Sequence, residues 1–385
     1  MDISFFDPNR TANASAWRVL PNRWDAIAFP LIIGILAMAI VGFHQTMAPI
    51  GVLQTQKISL DPSNLPEYAL RTTLRMLAAM IASLVFTLVY GTLAAKSRRA
   101  GMVLIPILDI LQSVPVLGYI SFTVTFFLAL FPGRVLGAEL AAIFAIFTSQ
   151  AWNMTFSFYQ SLRTVPRDLS EVSRGFHLTP WQRFWKLEVP FSMPGLIWNM
   201  MMSMSGGWFF VVASEAISVS DQSIKLPGVG SYIAMAIEAR DLSAIGWAIG
   251  GMLVGIVLYD QLFFRPLIAW ADKFRFEEGS GDEAPRSWLL TWLRRTDRLQ
   301  RVGLVFTRLI DWSVVLFRRD HDGTSIKARP RPPNATIERV WDATLAAAVL
   351  LAIVWLSRFI HTEVGWSEVM HVFVLGFYTL VRVLC

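Results

Sequence analysis

Residues 168–190 read Asp168-Leu-Ser-Glu171-Val-Ser-Arg-Gly175-Phe-His177-Leu-Thr-Pro-Trp181-Gln-Arg-Phe-Trp185-Lys-Leu187-Glu-Val-Pro190. Thr179 is a favoured helix N-cap, Pro180 suits the first helical position, and Gln182 completes a capping box. The stretch predicts two short helices with a turn between them, the second ended by Pro190, with Pro194 opening the next element. It lies in a polar, basic segment, 161–194, between two apolar runs: Leu136 to about Tyr159, and Gly195 to about Ile217. Each run is long enough to cross a bilayer, for which about 20 residues suffice.

More apolar runs lie further out. Ala26 to Phe43 is read as an uncleaved membrane anchor, because it continues past the small-residue triplet Ala37-Met38-Ala39. Ala69 to Ala95 ends at Lys96-Ser97-Arg98-Arg99. Met102 to Phe131 is too long for one straight crossing and carries Pro106 and Pro115, so a kink or break is expected. Ala244 to Phe264 makes a sixth span. Composition agrees: 54% of the chain is hydrophobic and only 16% charged, whereas soluble domains carry about 25% charged residues. The expected fold is all-α, a polytopic helical membrane protein, since helices are how an unclosed chain satisfies its backbone in lipid.

The net charge of +6 is read as positive-inside bias and not as a nucleic-acid surface. With the N-terminus cytoplasmic, Arg and Lys concentrate inside, at 1–25, 96–99, 161–194 and 265–339. Outside lie Lys57, Arg134, Lys225, Arg240 and Arg358.

Beyond a unit at 26–270 the chain turns polar, at 271–339. Within it, 288–317 reads as an amphipathic helix with Arg294, Arg298, Arg301 and Arg308 on one face, suited to an anionic membrane surface or to packing on a soluble partner. Two further spans occupy 340–385. Trp24-Asp25-Ala26 returns as Trp341-Asp342-Ala343, and Thr72, Arg75 and Leu77 return at equal spacing as Thr379, Arg382 and Leu384. These matches predict a duplication whose second copy stops after two spans, as in a fragment of a longer chain.

Catalytic chemistry is not written here. G-x-x-x-x-G-K-[ST], H-E-x-x-H and G-x-S-x-G are absent, and Cys385 is the sole cysteine. No catalytic residue, metal site or cofactor is expected.

The loop resembles the EAA loop of ABC-transporter permeases, which reads E-A-A-x-x-x-G, nine residues, then I-x-L-P. Glu171 stands at the Glu, Val172 and Ser173 at the two Ala, Leu187 at the Ile, and Val189-Pro190 at the Leu-Pro. His177 falls where the family has Gly, and Gly175, two residues earlier, is expected to take over the turn. Asp109-Ile-Leu-Gln112-Ser113-Val-Pro115 and Leu226-Pro-Gly-Val-Gly230 add to the likeness, which covers about 65–270 and is nearest to the nitrate/sulfonate/taurine-type importer permeases. The resemblance implies a six-span permease unit in a bacterial inner membrane, with ABC ATPase subunits, a periplasmic solute-binding protein and a second permease unit as partners. Glu171, Gly175, His177, Trp181, Trp185, Leu187 and Pro190 would form the ATPase-coupling loop.

Gln112, Ser113, Gln150, Asn153 and Glu215 are candidates for the translocation path, since polar groups in membrane helices face the protein interior; interhelical hydrogen bonding would place them equally well. Arg71 and Arg75 are read as interface anchors or as an attraction for anions. The rival reading is a membrane scaffold or sensor acting through 288–317.

Overall fold

A computed structural model describes residues 58–114, 116–219, 222–275, 335–359 and 365–384, with a few isolated positions besides. The anchor 26–43, the N-terminal segment and the amphipathic stretch 288–317 lie outside the described residues. Contacts divide the chain into two units, Met1–Arg318 and Arg319–Cys385.

In the first unit, α1 (Leu65–Lys96) follows a short 3-10 turn capped by Asp61, whose Oδ1 accepts the Ser63 N–H. α2 (Arg98–Ser113) and α3 (Val116–Leu130) together form the third apolar run. Pro106 stays inside α2, and the break falls at Val114, whose backbone is extended just before Pro115. α4 (Val135–Arg163) and α5 (Arg167–Gly175) follow. α6 then runs without interruption from Pro180 to Glu215. The expected stop at Pro190 does not occur. The turn Phe184–Glu188 widens to π geometry, with Val189 N–H donating to Phe184 O. That widening gives room for the ring of Pro190, which would clash with a carbonyl of a regular helix. Pro194 is likewise carried inside the helix.

The polar stretch after α6 forms a hairpin, β1 (Ala216–Val219) with β2 (Gln222–Lys225), antiparallel with Ile217 opposite Ile224. It was not anticipated, and it leaves the all-α class intact. α7 (Val229–Glu238) is short and packed. α8 (Leu242–Phe274) follows. Among the described residues five helices are long and apolar enough to cross a membrane: the α1 segment, α4, α6, α8 and the final helix.

Helix directions follow from side-chain pairs. Arg75 meets Glu139, Ser83 meets Phe147, and Thr87 meets Thr155, in the same order along both chains, so α1 and α4 run parallel. Two consecutive parallel spans need a crossing between them, which α2 and α3 supply jointly. α6 runs the other way, with Glu188 beside Lys96 and Glu215 beside Arg75. The core owes its closeness to small residues. Ala79, Ser83 and Gly91 of α1 face Ala142, Ala145, Ala151 and their neighbours on α4, and a Cβ on Gly91 would stand 2.8 Å from the Phe158 ring. In lipid such contacts carry the packing, because burial of apolar surface gives little gain there.

The second unit contains α9 (Ala335–Phe359) and α10 (Trp366–Leu384), and apart from half-buried Val369 the described large apolar side chains of α10 are exposed.

Candidate functional site

Two constructions occupy opposite ends of the first unit. At the end that holds Lys96 and Arg98, the loop between α4 and α6 is built from local signals. Thr179 Oγ1 accepts the Gln182 N–H at 3.2 Å and Gln182 Oε1 accepts the Thr179 N–H at 2.9 Å, completing the capping box. α5 closes with two backbone bonds, His177 N–H to Arg174 O at 2.9 Å and Leu178 N–H to Ser173 O at 3.1 Å. This is a Schellman closure, whose penultimate residue adopts the left-handed region. That residue is His177, at φ 53°. Gly175 remains helical, so the expectation that it takes over the turn is corrected: the closing bonds fix the left-handed position two residues later.

Glu188 braces the loop. Its buried carboxylate lies 2.7 Å from Lys96 Nζ and accepts from Arg183 Nε at 2.9 Å, and Lys96 also sits 5.0 Å above the Phe184 ring. Phe184, Trp181 and Trp185 contact one another in a single aromatic group. Outward from this frame Glu171 is exposed, Phe176 is 76% exposed and Trp181 37%. Trp185, Leu187 and Pro190 are half-buried on the inner side.

At the other end lies a buried ion cluster. Arg75 donates to Glu139 through Nε at 2.6 Å and Nη2 at 2.7 Å, and through Nη1 to Glu215 Oε1 at 2.7 Å and Pro227 O at 3.0 Å. Glu215 also accepts from Thr72 Oγ1 at 2.6 Å and from the Gly230 N–H at 2.7 Å, while Thr72 Oγ1 accepts the Val229 N–H. The glycines of Pro227-Gly-Val-Gly230 make this possible. A Cβ on Gly228 would collide with the Glu215 carboxylate, and one on Gly230 would stand 2.5 Å from Val212 O. The cluster thus ties α1, α4 and α6 to the start of α7.

The chain is similar to known proteins. Residues 87–263 match the model of the binding-protein-dependent transport system inner membrane component family. The match covers a little under half of the chain. The matched region starts within α1 and ends within α8, enclosing the braced loop. The glycine betaine/proline betaine transport system permease protein of Escherichia coli is 26% identical over 61% of this chain and 63% of its own length. The glycine betaine/carnitine transport permease protein of Listeria monocytogenes is 28% identical over 49% of this chain and 59% of its own. The nitrate import permease protein of Leptolyngbya laminosa is 24% identical over 60% of this chain and 81% of its own. The chain therefore spans about three fifths of the first two of these relatives. Its several long apolar helices make it a multi-pass membrane protein, similar over this region to binding-protein-dependent transport components.

Within the helical frame the path candidates separate. Gln112, Ser113 and Asn153 are exposed. Gln150 is wholly buried between α4 and α6, its Nε2 donating to Met204 Sδ at 3.4 Å, and Oε1 has no partner among the described residues. Glu215 is wholly buried in the ion cluster. Of the two arginines, Arg71 pairs with Glu67 one turn away and Arg75 anchors the cluster. Thr72, Glu139, Glu188 and Lys96 were missed from the sequence. Glu139 could have been found, since an ionisable residue inside an apolar run calls for a partner.

Proposed function

We propose that the chain is the permease subunit of an ATP-driven ABC importer of a small solute. Loop 161–194 docks on an ABC ATPase subunit and passes its closure to the spans. A solute-binding protein delivers the solute from outside, and a second permease unit, fused or separate, completes the path. The supporting observation is the loop itself: a capped, Schellman-closed pair of short helices, clamped to α1 by Lys96 and Glu188, with Glu171, Phe176 and Trp181 outward. Exposed aromatic side chains on a rigid frame are what protein interfaces use as anchors. The frame continues directly into α6, so a push on the loop reaches Glu215 without a flexible joint.

The orientation follows from charge. The loop end carries Lys96, Arg98, Arg99, Arg163, Arg167, Arg174, Arg183 and Lys186, against Arg134, Lys225 and Arg240 at the other. This imbalance supports a cytoplasmic loop in a bacterial cell, with the inner membrane as the site of action. Purification in mild detergent tests the reading. The protein should bring an ATPase subunit with it, and Glu171→Ala with Trp181→Ala should release that subunit while the permease stays folded. Co-purification unchanged by the double substitution would remove the loop from the coupling role.

A further inference from the structure

α2 carries a charge in an unusual place. It leaves the loop end at Arg98, and Asp109 lies eleven residues on, about 16 Å along a helix rising 1.5 Å per residue. That is roughly half the thickness of a 30 Å hydrocarbon core. Leu104, Leu108 and Leu111 form the side of α2 turned to the unit, with Leu108 fully buried. Pro106, Asp109 and Ser113 lie on the opposite side and are exposed, as is Gln112. The Asp109 carboxylate accepts from Gln112 Nε2 at 3.3 Å, and its backbone carbonyl accepts from Ser113 Oγ at 2.7 Å. No Lys, Arg or His lies within ion-pair distance of it among the described residues. An ionised carboxylate at this depth is not stable against lipid, where Asp costs about 2.5–3.5 kcal/mol even by the mildest scale, so such groups face water or protein.

One turn further on, α2 ends at Ser113 and α3 begins at Val116. Helices interrupted within the membrane mark solute sites, because the freed backbone groups need polar partners. The carbonyl end of α2 and the N–H end of α3 meet at the break and offset one another, so Asp109 sets the sign of the local potential.

We propose that the Asp109, Gln112 and Ser113 face lines a water-filled, electronegative part of the solute path, suited to a solute that carries a positively charged group such as a quaternary ammonium. This rests on the permease reading and narrows its substrate class. A carboxylate with no cationic partner among the described residues favours a cationic headgroup over an anion at this point, and the amide of Gln112 and hydroxyl of Ser113 can contact the solute's polar remainder.

The experiment uses Ser113→Cys in a Cys385→Ser background, in native membrane vesicles of both orientations. Two probes are compared, 2-(trimethylammonium)ethyl methanethiosulfonate and 2-sulfonatoethyl methanethiosulfonate. Ser113 is one helical turn from Asp109, about 6 Å. The cationic probe should react faster by about tenfold relative to its advantage with a small free thiol. Asp109→Asn should abolish that excess, and Asp109→Glu should keep it. A thiol that reacts with neither probe, or equal relative rates with Asp109 intact, would overturn the proposal. So would an excess that survives Asp109→Asn. None of these readouts requires an ATPase, so failure of the permease reading shows itself separately, as absence of a bound ATPase subunit.

Discussion

At the residue scale, one buried arginine and one strained histidine carry most of the consequences. Arg75 satisfies two carboxylates, and both are poorly placed to find water. Breaking such a group by removing one partner costs about 3–5 kcal/mol, whereas replacing both partners with apolar residues costs far less. Arg75→Leu should therefore lower the thermal midpoint in detergent strongly, and Arg75→Leu combined with Glu139→Leu and Glu215→Leu should recover much of the loss. A triple variant as unstable as the single one would show that the cluster is not acting as a charge unit. His177 gives a smaller effect with a clear sign. Its φ of 53° suits glycine and suits a β-branched residue worst. His177→Val should weaken the Leu178 to Ser173 closure by about 1–2 kcal/mol, and His177→Gly should not; hydrogen exchange at the Leu178 amide reads the difference. Residue identity alone pointed to Gly175 for this turn, because the sequence displays a glycine but not which carbonyls the chain will close upon. Arg75 was similarly ambiguous: its partners Glu139 and Glu215 are remote in the chain, and only the packing of α1, α4 and α6 brings them together.

At the level of elements, local signals were read well and continuity poorly. The capping box at Thr179 and Gln182 is a four-residue pattern, so the start of α6 was visible in the sequence and is seen in the structure. Pro190 and Pro194 argued for an interruption that tertiary packing overrides, since Val189, Ser192, Leu196 and Ile197 are buried on the same helix. The hairpin after Glu215 gave no periodic signal, because its strands are only four residues long. In the proposed coupling a continuous α6 is the lever, and Lys96 with Glu188 sets its angle. Replacing Glu188 with Gln removes the charge attraction to Lys96 and Arg183 and keeps the shape. We expect ATPase co-purification to persist in Glu188→Gln, with transport-linked ATP hydrolysis falling several-fold. Hydrolysis and uptake both unchanged would show that the brace serves folding alone.

For the whole molecule, the apolar runs made the helical membrane class legible from composition and span length, and the parallel run of α1 and α4 now requires α2 and α3 to form one broken crossing. Topology follows: single cysteines at Ser170 and at Ser243, in the Cys385→Ser background, should label from opposite faces, with Ser170 cytoplasmic, and labelling of both from one face would invalidate the crossing count. The residues matched in the expected duplication differ in setting. Thr72 and Arg75 are buried and partnered, while Thr379 and Arg382 stand exposed on α10. The proposed function turns on loop 161–194 seating on an ATPase. Placing a photoreactive phenylalanine analogue at Phe176, which is 76% exposed at the tip of the braced loop, tests it in native membranes. Irradiation should yield one dominant adduct containing a P-loop ATPase, and the yield should change when ATP is trapped. Adducts with lipid or with other proteins, and none with an ATPase, would contradict the account.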